Sequence, residues 1–160
     1  SALRAASYGI PFMPVRGLKV SDLRRVNDYF ADVTDPFTSE TLAAVQAIRP
    51  DFAIVHAQTA DANGNACFEG PPYEDVLLSR AAKRVIVTAE RIVGDGWFSA
   101  SEQKADIPHF MTAAVVHVPR GASPCACYGY YEPNDSLIRE FLALDSREAL
   151  LDFVQGRKEP

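Results

Sequence analysis

Residues 51–93, DFAIVHAQTADANGNACFEGPPYEDVLLSRAAKRVIVTAERIV, decide the fold. The stretch opens on an apolar run at 52–57, crosses a polar loop, enters a helical pattern at 73–83 and closes on a second apolar run at 85–89. Both runs are dense in Val and Ile and solid rather than alternating, which predicts strands buried on both faces. Between them Val76, Leu77, Arg80 and Ala81 have the spacing of one buried stripe with a charged margin. Strand, loop, helix, strand is the signature of a parallel crossover unit. A third apolar run at 112–118 supplies another strand, so the expectation is an α/β fold with an open, mainly parallel sheet and flanking helices.

On either side of this stretch the pattern is helical. Residues 1–8 followed by Gly9 read as the last turns of a helix with its C-terminal glycine. Towards the other end, Asn134 or Asp135 caps a helix with Leu137, Ile138, Phe141 and Leu142 on one apolar face. Asp145 with Glu148 resembles a capping box opening a last helix, with Leu150, Phe153 and Val154 inside and Gly156 as its stop. No internal repeat or low-complexity tract interrupts the chain, and one domain over residues 1–160 is expected.

Composition limits the partners. Of the 160 residues, 48% are hydrophobic, enough for a sizeable core, and the net charge of -5 comes from acids and bases mixed along the chain. That argues against nucleic acid, which needs a concentrated basic surface. No apolar run reaches bilayer-spanning length, and no basic region leads into an apolar one at the start, so a cytoplasmic protein with no membrane contact is expected. The three cysteines, Cys67, Cys125 and Cys127, lack the density of a disulfide framework and read as buried, reduced thiols. Cys-x-Cys without a second Cys or His pair at finger-like spacing argues against a metal there.

The polar loop after the first strand is the candidate site. Ligands of open parallel sheets sit beyond the carboxyl ends of strands, where Asp61, Asn63, Gly64 and Asn65 fall. Gly64 supplies positive φ and the asparagines bond backbone or ligand; an ordinary surface turn meets the same description. A calcium loop fails, because Ala66 stands at its glycine position and Pro72 at its bidentate glutamate position. Glu90 sits at the second strand's end, where it either orients a substrate or a partner's group, or pairs with Arg91 or Lys83. His56, inside an apolar strand, reads as a satisfied core imidazole, and His109 and His117 have neither nucleophile nor ligand spacing. Gly94-Asp95-Gly96 lacks the third glycine of a dinucleotide loop, and there is no phosphate loop or nucleophile elbow.

The same central stretch resembles class I CoA-transferase alpha subunits. Ala60, Asp61, Gly64 and Asn65 match their Ala-Asp-x-x-Gly-Asn loop, Ala81, Ala82 and Lys83 match a helix end, and Glu90, Ile92 and Val93 match a strand's close. The segments GIPFMPVRGLKVSDL and IPHFMTAAVVHVPRGASPCACYGYY resemble the alpha-type subunit of the glutaconate CoA-transferase branch. Departures are Val20 for an expected Gly, Gln46 for a Pro, Arg91 for a second acid, and Cys125-Ala126-Cys127 for other small or polar residues. Those relatives also carry an N-terminal region of glycine-rich turns, so the resemblance is to their C-terminal part.

The resemblance implies an enzyme subunit that moves CoA between an acyl-CoA thioester and an acceptor carboxylic acid. The route is covalent, through a mixed anhydride and a glutamyl-CoA thioester. It implies a hetero-oligomer with a beta-type partner subunit, with the nucleophilic Glu on that partner and no catalytic nucleophile here. Asp61, Gly64, Asn65 and Glu90 would bind substrate, with Glu90 the fallback if this chain supplies a functional carboxylate. Coenzyme A enters as substrate, with no cofactor and no metal. Two alternatives are a ring-opening acyl-CoA hydrolase subunit of the same family and a non-catalytic module that docks the beta-type subunit.

Overall fold

The computed structural model describes residues 1–18 and 21–156, so Val20, one of the departures above, lies outside the described residues. In chain order the first elements are α1 (Ala2–Ser7), β1 (Phe12–Val15), α2 (Leu23–Val26), β2 (Phe30–Thr34), β3 (Thr41–Gln46), β4 (Phe52–Asp61) and β5 (Ala66–Cys67). They are followed by α3 (Asp75–Ala81), β6 (Arg84–Val93), α4 (Trp97–Ala100), a 3-10 turn at His109–Met111, β7 (Thr112–His117), α5 (Asp135–Leu142) and α6 (Arg147–Gln155). Packing divides the chain into two compact units, Ser1–Val55 with Tyr73–Ile86, and His56–Pro72 with Val87–Pro160.

The first unit holds a three-stranded antiparallel sheet in the order β1-β3-β2. Solid apolar runs do not reveal it, because its strands are short, β1 carries Pro14, β2 is interrupted by Asp32 and β3 is rich in alanine. Pro14 sits in β1, an edge strand, where its missing N–H costs no ladder bond in a sheet interior. The β2–β3 hairpin turns on Asp35, whose carboxylate accepts from Phe37 N (2.9 Å) and from the Thr38 hydroxyl (2.7 Å). Alanines let helix and strands approach closely: Ala5, Ala43 and Ala53 are buried with Val55 and Val85. Gly9 is left-handed at φ +75°, the expected stop of α1.

The second sheet has four strands in the order β5-β4-β6-β7 and is mainly parallel, as expected. Contacts between β4, β6 and their flanks keep one offset: Asp51–Lys83, His56–Thr88, Thr59–Arg91 and Asn63–Asp95 each span 32 residues. A constant difference is parallel register; an antiparallel pair would keep a constant sum. The helix between them is shorter than 73–83. Tyr73 is left-handed (φ 43°), Glu74 caps, and the Lys83 amide already donates to Pro50 O at 2.9 Å. Its buried positions are Ser79 and Ala81, with Val76 and Leu77 half-buried and Arg80 exposed.

Burial departs from the solid-strand expectation. β4 alternates up to Val55 and is buried continuously only from Ala57 to Asp61, while β7 is half-buried or exposed throughout. In α5, Asn134 is the cap, accepting from Leu137 N at 3.1 Å, but only Leu137 is buried, and Phe141 and Leu142 are exposed. The capping residue of α6 is Ser146, which accepts from Ala149 N at 3.1 Å, rather than Asp145. Its Leu150 and Val154 are exposed instead of inside. Among the described residues no helix is long and apolar enough to cross a membrane.

Candidate functional site

Every residue of the site belongs to the second unit. Its first part is the turn between β4 and β5. Asp61 Oδ1 accepts from the amides of Gly64 and Asn65, both at 2.9 Å, and Oδ2 accepts from Asn65 Nδ2 at 2.8 Å. Asn65 Oδ1 then accepts from His109 N at 3.0 Å, so both ends of this amide are engaged. Gly64 is left-handed at φ +107°, and a Cβ there would lie 2.8 Å from Thr112 Cβ. The Thr112 hydroxyl donates to Gly64 O at 2.7 Å, which explains the close approach. Asp61, Gly64 and Asn65 are therefore brought together as predicted, with the buried Asp61 carboxylate spent on shaping the turn. Asn63 and Asn65 line an open depression with Phe98, Ser99 and His109, where a ligand would meet amide groups and an aromatic wall.

Glu90, 8% exposed, is the centre of the second part. His56 Nε2 lies 2.8 Å from its Oε1, and the Tyr131 hydroxyl donates to the same oxygen at 2.5 Å. The backbone N–H of Arg120 donates to Oε2 at 2.7 Å. Burial pushes this carboxyl up, but the bonds from Tyr131, His56 and Arg120 outweigh it and hold the group below its ordinary range. Tyr131 moves the other way: burial and its bond to Glu90 push the phenol up to about 12. His56 is a satisfied imidazole, its Nδ1 lying 2.9 Å from Thr88 Oγ1.

Neither cation expected beside Glu90 is its partner. Arg91 donates to Thr59 Oγ1 at 3.1 Å with its guanidinium 5.7 Å from the Trp97 ring centroid, and Lys83 bonds Asp51 at 2.7 Å. Besides His56, the donors are Arg120 and Tyr131, in a segment that sequence spacing gave no reason to connect with Glu90. One signal was available in Gly121: a Cβ there would sit 2.5 Å from His56 Cε1 and 2.9 Å from Val118 O. Arg120, left-handed at φ 58°, lies over the Tyr131 ring at 4.7 Å. Cys67 and Cys127 are buried free thiols as expected, whereas Cys125 is exposed. Burial, with the Asp106 and Glu69 charges, pushes Cys67 up to about 11.

Chemically, the two buried carboxylates, Asp61 at the end of β4 and Glu90 inside β6 rather than at its end, act as acceptors that hold backbone and side chains. A carboxylate nucleophile needs a free oxygen facing the substrate, and both oxygens of Asp61 and of Glu90 are already bonded.

The sequence profile of the family described as Coenzyme A transferase matches residues 1–118. The chain is 41% identical over 161 aligned positions to the A-type subunit of the 3-oxoadipate CoA-transferase of Pseudomonas knackmussii, covering 97% of this chain and 56% of that one. Among solved structures, glutaconate coenzyme A-transferase from Acidaminococcus fermentans superposes with a TM-score of 0.86 at 31% identity, over 97% of this chain and 54% of that one. A variant of the decarboxylase AibA/AibB superposes at 0.83 with 36% identity, over 97% and 56%. The chain thus spans about half the length of the relatives it matches. Profile, relatives and superposition agree on one placement: this chain belongs to the coenzyme A transferase family.

Proposed function

We propose that this chain is the alpha-type part of a heteromeric CoA-transferase, which moves CoA from an acyl-CoA thioester to an acceptor carboxylic acid. Similarity over nearly the whole chain to one named subunit of such an enzyme supports a beta-type partner subunit in a hetero-oligomer, and a cytoplasmic location is part of the same proposal. Neither a nucleic acid nor a membrane is part of this reading. The family likeness assigns the attacking Glu to the partner, and the observation that supports this division of labour is the engagement of Asp61 and Glu90, whose carboxylates are both held by internal donors.

In this reading Asp61, Gly64 and Asn65 build one wall of the substrate site. The depression beside Asn63, Asn65 and His109 receives part of the acyl-CoA. Glu90 acts as a positioning carboxylate that fixes Arg120 and Tyr131 against the strand ends. Coenzyme A is a substrate, and the exchange itself requires no cofactor.

The test is reconstitution with a beta-type subunit, followed by CoA exchange measured with and without acceptor acid. Exchange that requires both subunits and the acid is expected. Acid-independent thioester cleavage would make the protein a hydrolase subunit instead. Hydroxylamine trapping and peptide mapping should place the glutamyl-CoA on the partner. A labelled Glu90 peptide, or turnover by this chain alone, would overturn the assignment.

A further inference from the structure

We propose that His56, Glu90 and Cys127 form a zinc-binding site. The three residues come from β4, from β6 and from the segment after β7, all within the second unit. One ligand atom of each lies within 4.8 Å of the other two, and Glu90 and Cys127 are buried while His56 is half-buried. The Tyr131 hydroxyl closes a fourth side, donating to Glu90 Oε1. Imidazole nitrogen, carboxylate oxygen and thiolate sulfur together suit zinc, and the sulfur disfavours magnesium or calcium.

The outer atoms of the cluster are what point to a metal. His56 Nδ1 is held by Thr88 Oγ1 at 2.9 Å, and Glu90 Oε2 by the Arg120 amide at 2.7 Å. Such bonds orient metal-ligating histidines and carboxylates, leaving Nε2 and Oε1 turned inward together. Without metal, the inner atoms share protons, His56 to Glu90 at 2.8 Å and Tyr131 to Glu90 at 2.5 Å. Tetrahedral bonds near 2.0 Å would set two such ligands about 3.3 Å apart, so a zinc ion requires an opening of about half an ångström.

Charge and protons balance on entry. Cys127 gives its proton to solvent, and the imidazole proton moves from Nε2 to Nδ1, where the Thr88 hydroxyl accepts it. The thiolate and the Glu90 carboxylate then offset the two positive charges of the ion, which a buried site requires. Sequence spacing argued against metal at Cys125 and Cys127 as a pair. The structure separates them, Cys125 being exposed and Cys127 buried beside Glu90.

The test is metal loading of the reduced, purified chain. One equivalent of Zn2+ should remain after dialysis, and Co2+ in its place should give a near-ultraviolet thiolate-to-cobalt band. Cys125→Ser should keep the band and Cys127→Ala should lose it, with circular dichroism checking the fold of each. Thr88→Val, which removes the bond to His56 Nδ1, should weaken binding by about 10-fold or more. Should Cys127→Ala not fold, zinc-edge absorption on the unsubstituted chain decides: one sulfur with nitrogen and oxygen neighbours is expected. A shell without sulfur or with two, substoichiometric zinc, or a band that survives Cys127→Ala would leave a hydrogen-bonded cluster only and overturn the site.

Discussion

The Tyr131 hydroxyl and His56 Nε2 meet at one oxygen of Glu90, at 2.5 and 2.8 Å, although 75 positions separate them in sequence (131 − 56 = 75). That shared acceptor ties the segment after β7 to β4 and β6. Replacing Glu90 by Gln keeps the volume but gives those donors a neutral partner with one end that donates. A loss of about 2–3 kcal/mol in urea unfolding is expected for Glu90→Gln, and about 1 kcal/mol for Tyr131→Phe. Equal stability of Glu90→Gln and the unsubstituted chain would show that the network is not a stabilising one.

The acid limb carries a signature of the same group. Glu90 has its folded carboxyl held below the ordinary range, so its contribution to stability is complete above the unfolded value of about 4.3 and fades as pH falls through the lower folded value. Stability plotted against pH below about 5 should therefore fall less steeply in Glu90→Gln than in the unsubstituted chain. Parallel curves would contradict the assignment of this limb to Glu90.

At alkaline pH the signs reverse. Cys67 titrates at about 11 in the folded chain against an ordinary 9.0, and Tyr131 at about 12 against 10.0. Both stabilise the fold while protonated, so stability should decline from pH 9 towards 11 as unfolded Cys67 ionises first. Alkylation at mildly alkaline pH, followed by mass spectrometry, should label exposed Cys125 well before buried Cys67. Rapid labelling of Cys67 in the folded state would sink this reading.

Gly64 is constrained twice, by φ +107° and by Thr112 Cβ at 2.8 Å from an added Cβ. Gly64→Ala should cost about 2 kcal/mol or more, since strain and a steric clash add. Combining it with Thr112→Ala removes the atoms beyond Cβ and the bond to Gly64 O, but leaves the Cβ contact and the backbone strain. Recovery of full stability in the double variant would mean that neither of these carries a cost.

Each C-terminal helix rests on one cap. Asn134→Ala and Ser146→Ala should each lose about 1 kcal/mol, while Asp145→Ala should be near neutral because Asp145 is not the capping residue. A larger loss at Asp145 than at Ser146 in thermal unfolding would restore the capping box that the spacing suggested.

What the sequence by itself determined is local. Short Val- and Ile-rich runs on either side of a helical pattern favour strands joined by a crossover, so β4, α3 and β6 and their parallel order were legible, although the burial of the strands was not. Gly9 as a helix stop, the Asp61–Asn65 turn and Asn134 as a cap follow from backbone chemistry that acts over four or five residues. The β1-β3-β2 sheet was not legible, because Pro14 in β1 and Asp32 in β2 interrupt short strands whose pattern only pairing across the sheet makes stable. Burial in α5, α6 and β7 was misjudged for a related reason: an apolar stripe says which face seeks cover, while packing decides whether cover is there. The environment of Glu90 belonged wholly to tertiary structure. Its neighbours in sequence offered Arg91 and Lys83, but a strand sends successive side chains to opposite faces. Arg91 thus turns away to Thr59, and the face that Glu90 shares with His56 is met by Arg120, Cys127 and Tyr131 only when the chain folds back over the strand ends.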